Sequence, residues 1–162
     1  VGIGTLVSTI LLEFLLEEDL STLDVDATVA QWWPSFEVLK AEFPKVFGSR
    51  EAHIRRAESE MLSKYPTPEQ LRIELLKIKE AWSELAPKLR AQLMPYSEVR
   101  ESLRIVGAPY SIAQIGVTPE RFLETLRGIS YMRNRYFGMD LLCRIGKYEQ
   151  FEARLKELML PE

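Results

Sequence analysis

A chain of 162 residues with 46% hydrophobic and 28% charged side chains has the composition of one folded globular domain and excludes a disordered tail. Its formal net charge of −3 excludes a general electrostatic pull toward nucleic acid or acidic membranes. One cysteine excludes an internal disulfide and fits a reducing, cytoplasmic setting.

The chain opens on an apolar segment. Ile3, Leu6, Val7, Ile10, Leu11, Phe14 and Leu15 follow the spacing of a packed helix. Gly4, Thr5, Ser8 and Glu13 interrupt the run, its length is marginal for a membrane span, and no basic region precedes it. It is read as a core helix, without membrane insertion, whose wall is completed in part by a preceding segment. Asp24 or Asp26 suits the cap of a second helix, with a kink or restart expected at Trp32, Trp33 and Pro34 before Phe36, Leu39 and Phe43. A loop is expected over 44–49, with Ser49 capping a third helix that runs through Ile54 to about 64.

Thr67, Pro68 and Gln70 form the clearest start signal, a capping box with proline at the first helical position. Leu71, Leu75, Ile78, Trp82, Leu85 and Leu89 then repeat at spacings of four and three, a heptad seam that packs helix on helix. Pro87 is expected to kink or split that run. Pro95 and Ser97 mark a further start, and Gly107-Ala108-Pro109 a break. Thr118-Pro119-Glu120 opens a helix ending near Gly128, and the stretches 136–145 and 148–160 supply the last two. No stretch alternates with period two. The expected fold is all-α, a multi-helix bundle in one domain spanning 1–162.

Few residues invite chemistry. Gly2 and Gly4 imitate the start of a dinucleotide fingerprint, but Val7 stands where its third glycine would fall, so close backbone approach explains them better. His53, the only histidine, lies among Glu51, Arg55, Arg56 and Glu58 and lacks the clustered partners of a metal ligand. Cys143 follows Leu141 and Leu142 and reads as a buried, inert thiol. Glu69, Glu74, Glu80 and Glu84 read as a solvated helix face. Arg121, Arg127, Arg133, Arg135 and Arg144 gather in the last third. Interhelical pairing with glutamates is the plainer account of them, and recognition of a phosphate or carboxylate the sharper one.

Three segments, in order, carry a resemblance. Val1-Gly2-Ile3-Gly4-Thr5 before an apolar helix is followed by Leu103-Arg104-Ile105-Val106-Gly107-Ala108-Pro109 with Ile115-Gly116-Val117-Thr118-Pro119-Glu120, and then by Arg133-Asn134-Arg135-Tyr136 with Asp140-Leu141. Together they resemble the sn-glycerol-1-phosphate dehydrogenases, of the iron-containing alcohol dehydrogenase and dehydroquinate synthase superfamily. The chain departs from that pattern at Tyr110-Ser111 and Phe137, and residues 24–93 carry little specific likeness.

The resemblance implies an amino-terminal nucleotide-binding domain beside an all-helical carboxyl-terminal one, with the active site in the cleft between them. It implies interconversion of dihydroxyacetone phosphate and sn-glycerol 1-phosphate with NADH or NADPH, and a divalent metal, zinc or in some members nickel, on one aspartate and two histidines. The family's ligand positions fall before Val1, so no catalytic, cofactor or metal residue is carried onto this chain. The chain is therefore expected to be the helical domain of a longer enzyme, inactive alone, partnered by the nucleotide-binding domain and able to form a homo-oligomer. Thr5 and Arg135 are its substrate-side candidates. The competing expectation is a helical interaction or oligomerisation module that uses the seam of 71–89. A freestanding small enzyme is the third and weakest reading, because the chain has no paired histidines, reactive cysteine setting or phosphate loop.

Overall fold

Apolar residues three and four apart put one stripe of each amphipathic helix inward, and the described residues follow that rule from end to end. The computed structural model describes residues 1–31 and 35–160; the step expected at Trp32, Trp33 and Pro34 lies outside the described residues. Within them are α1 (Gly2–Glu17), α2 (Val25–Ala30), α3 (Phe36–Lys40), α4 (Phe43–Phe47), α5 (Glu51–Leu62), α6 (Pro68–Gln92), α7 (Tyr96–Ile105), α8 (Pro119–Gly128), α9 (Gly138–Arg144) and α10 (Tyr148–Met159). Short 3₁₀ turns join some of them at Leu20–Thr22, Ala113–Ile115 and Ile129–Met132, and no strand occurs among the described residues. The fold is all-α. No helix of the described residues is long and apolar enough to cross a membrane.

Helix α1 is the central post. Leu6, Ile10, Leu11, Leu15 and Leu16 are buried in one cluster with Leu71, Leu75 and Trp82 of α6, Leu126 of α8, Leu142 of α9 and Phe151 and Leu155 of α10. A smaller, separate cluster joins Leu39, Phe43, Ala57 and Met61, flanked by Phe47 and Tyr131. Trp82 adds a hydrogen bond from its indole nitrogen to the Glu18 carbonyl, 3.0 Å away. That bond satisfies an acceptor at the end of α1, where the helix ladder leaves carbonyls free.

Several sequence expectations need correction. The expected loop over 44–49 holds α4, because Pro44 falls in the first turn, where its missing N–H costs no helix bond. Ser49 does not cap α5; Arg50 takes the cap position without a side-chain bond. Pro87 does not split α6; the residue is exposed, so water can serve the carbonyl it leaves without a donor. Leu85 is off the seam, 39% exposed, while Ala86 is 3% exposed. The buried stripe Leu71, Leu75, Trp82, Ala86 follows the 3.6-residue period of a straight helix rather than the 3.5 of a supercoil. Helix α9 begins at Gly138 rather than 136, since the Asp140 carboxylate accepts the Phe137 N–H at 3.1 Å and sets the start there. The Thr67 capping box forms in full.

Candidate functional site

Two contacts seat later segments of the chain on α1. A side chain at Gly2 would meet the Pro109 carbonyl at 3.1 Å and Leu103 at 3.2 Å, so glycine lets the start of α1 lie against the segment after α7. That segment turns at Gly107, whose φ is +68°, with the Ala108 N–H donating to the Leu103 carbonyl at 2.9 Å. At the other side, a side chain at Gly138 would sit 3.3 Å from Leu11 and Leu15. Helix α9 is thereby seated directly on α1.

Between these contacts lie two adjoining cavities. The outer one, about 650 Å³, is lined by Val46 and Phe47 of α4, residues of α8, and Arg133, Arg135, Tyr136 and Phe137. The inner one, about 460 Å³, is lined mainly by apolar groups including Val7, Leu11, Ile115, Phe122, Leu126 and Met139. Arg121, Thr125, Ile129 and Phe137 belong to both. A third hollow of about 430 Å³ continues from Val46, Phe47 and Arg121 to Lys45 and Arg50. Volumes of this size are those of small-molecule sites.

The rim is cationic. Among the described lining residues, Lys45, Arg50, Arg121, Arg133 and Arg135 bring positive charge and none brings a carboxylate. Lys45 is paired with Glu42 at 2.6 Å and Arg121 with Glu124 at 3.1 Å, both at the surface. Arg133 and Arg135 have no ion-pair partner among the described residues.

A polar network, buried at Lys64, Asp140 and Arg144 and reaching the surface at Tyr136, holds the arginine segment. Lys64 Nζ meets Asp140 Oδ1 at 2.6 Å, with the two side chains 5% and 1% exposed, and the other Asp140 oxygen holds the Phe137 amide. Arg144 pairs with Glu74, donates to the Lys64 carbonyl at 2.7 Å, and lies 4.5 Å from the centre of the Tyr136 ring. The Tyr136 hydroxyl donates to Glu74 Oε1 at 2.7 Å; burial first, then that hydrogen bond, pushes its pKa upward. Every charge in this network has an opposite partner, the condition for tolerating ions away from water.

The structure separates the two substrate-side candidates. Arg135 lines the outer cavity, whereas Thr5 lines neither cavity and its hydroxyl turns back to the Val1 carbonyl at 3.4 Å. Glu74 is not part of a solvated face, since its side chain is 26% exposed and bound to Arg144 and Tyr136. Arg127 reaches Glu152 at 3.4 Å, so pairing with glutamate accounts for Arg121, Arg127 and Arg144 but not for Arg133 or Arg135. His53 is exposed on α5. Burial and the nearby Asp140 carboxylate push the Cys143 thiol up to about 12, which keeps it protonated and unreactive near neutrality. No three His, Cys, Asp or Glu side chains among the described residues gather to hold a metal. The described residues therefore do not fit a divalent ion by themselves.

Residue-by-residue inspection missed Lys64, Val46 and Phe47. Their roles depend on partners 74 and more positions away, and a local pattern carries no sign of such pairing. Asp140 stood in the third resembling segment, without a role attached. A scan against family models and searches of curated proteins and of solved structures find no match.

Proposed function

We propose that this chain is the helical, substrate-side domain of an NAD(P)-dependent sn-glycerol-1-phosphate dehydrogenase-like oxidoreductase. The observation that carries the reading is a convergence. Ile3 and Gly4 from the first resembling segment, Ile115 and Val117 from the second, and Arg133, Arg135, Tyr136 and Phe137 from the third all line the two adjoining cavities. Residues more than 100 positions apart thus share one wall, which supports reading it as the helical side of the cleft that the resemblance implies.

The chemistry assigned to this wall is recognition. A phosphorylated ketone carries a charge that must be neutralised and oriented, and guanidinium groups without an ion-pair partner among the described residues suit that task through paired, charge-assisted hydrogen bonds. Hydride transfer needs a nicotinamide, and in the family a divalent metal. In this reading both belong to the nucleotide-binding domain that the resemblance implies. No chemical step is assigned to this chain alone. Cytoplasmic location and homo-oligomer formation are parts of the same proposal.

The direct test is an assay of the full-length gene product for reduction of dihydroxyacetone phosphate, with NADH and with NADPH, supplied with zinc or nickel. Turnover is expected, and Arg135→Ala should raise KM for the phosphorylated substrate about tenfold or more, with kcat changing much less. Absence of turnover under all these conditions would end the reading. The interaction-module alternative has weaker support, because the α6 stripe it needs is buried against this chain's own core.

A further inference from the structure

Both cavities are mainly apolar, and they differ in the charge they carry: Arg121, Arg133 and Arg135 line the outer one, whereas only the shared Arg121 lines the inner one. The inner one is walled by Val7, Leu11, Phe122, Leu126 and Met139, all of them buried. The outer one opens toward Arg133 and Arg135, and the hollow beyond it toward Lys45 and Arg50. A small, fully polar phosphate ester would satisfy the arginines and leave the apolar end in contact with water only. The pair of cavities is complementary to a molecule with a charged end and an oily end.

We infer that the joined cavities bind a single-chain anionic amphiphile, its anionic head against Arg133 and Arg135 and its alkyl chain past Thr125 into the inner cavity. Three observations support that occupant. The lining residues concentrate positive charge without a carboxylate among those described, although the whole chain is net negative at −3. The cavities share Arg121, Thr125, Ile129 and Phe137, so they adjoin there, and a head in one and a chain in the other would meet beside Thr125. Removing an alkyl chain from water is favourable in proportion to the surface buried, a drive that an inorganic anion lacks. The inference rests on the cavities and not on the dehydrogenase reading; the amphiphile either competes with the polar substrate for the same arginines or is itself the molecule served.

The experiment is calorimetric titration of the 162-residue chain with butyl, octyl and dodecyl phosphate, each below its micelle concentration, and with inorganic phosphate. Saturable binding of one molecule per chain is expected, with affinity rising up to about fourfold per added methylene. Arg133→Ala with Arg135→Ala should weaken dodecyl phosphate about tenfold or more. Thr125→Trp, at an exposed position of α8, should block the passage and abolish the dependence on chain length while leaving inorganic phosphate unaffected. Affinity independent of chain length in the unaltered protein would overturn the inference, as would a chain-length dependence that survives Thr125→Trp. None of these readings uses turnover, so failure here and failure of the dehydrogenase assay are separate results.

Discussion

At Cys143 and Tyr131 the fold holds two acids in their neutral forms. Burial, followed by the influence of Asp140, pushes the thiol from 9.0 up to about 12; burial, followed by the influence of Cys143, pushes the phenol from 10.0 up to about 12. Both pKa values are raised on folding, so their contribution is complete below about pH 9 and is lost as pH climbs toward 12, because the unfolded chain gives up these protons first. Urea midpoints measured across that window should fall, and Cys143→Ala should flatten the fall. A midpoint unchanged from pH 9 to 11 would show that neither group is protected. Lys64 contributes through its buried ion pair with Asp140. Replacing it with methionine leaves Asp140 charged and unpaired in the interior, and should cost about 3–5 kcal/mol in urea unfolding. Lys64→Met with Asp140→Leu should recover part of that loss, the remainder reflecting the Phe137 amide left without its acceptor. At this scale the sequence disclosed Arg135, whose chemistry is its own, and not Glu74, whose partners lie 62 and 70 positions away.

Helix α6 shows how far a local pattern reaches at the level of an element. Its start was legible because the capping box is written within four residues, Thr67 to Gln70. Its inward face was legible at Leu71, Leu75 and Trp82 and misread at Leu85, since heptad and straight-helix periods diverge only after several turns. The two positions therefore make a paired test. Leu75→Ala, at a fully buried site, should cost about 2–5 kcal/mol, whereas Leu85→Ala should stay within about 0.5 kcal/mol. Equal losses at both would restore the heptad seam. Helix α4 escaped notice for the same reason in reverse: Pro44 signals a break unless it falls in a first turn, and only the following residues decide which.

Over the whole molecule, helix content and order were legible because amphipathic spacing is local, whereas the division of the interior was not. The main cluster gathers α1, α6, α8, α9 and α10, and the smaller one holds α3 to α5 with a handful of apolar side chains. Stability should be divided in the same way. Hydrogen exchange is expected to release the amides of 36–62 through a partial opening well before those of α1 and α10, which should exchange only on global unfolding. Uniform protection over both regions would refute this division. The outer cavity straddles that boundary, with Val46 and Phe47 on the smaller side and Arg133 and Arg135 on the larger. Lys64 and Asp140, 76 positions apart, are the bolt across it. A hydrophobic contact tolerates sliding, but a buried ion accepts one counterpart at one place, and a docking error of a single helical turn would strand both charges. The pair thus favours, among the ways the smaller cluster could settle, the register that also completes the cavity wall.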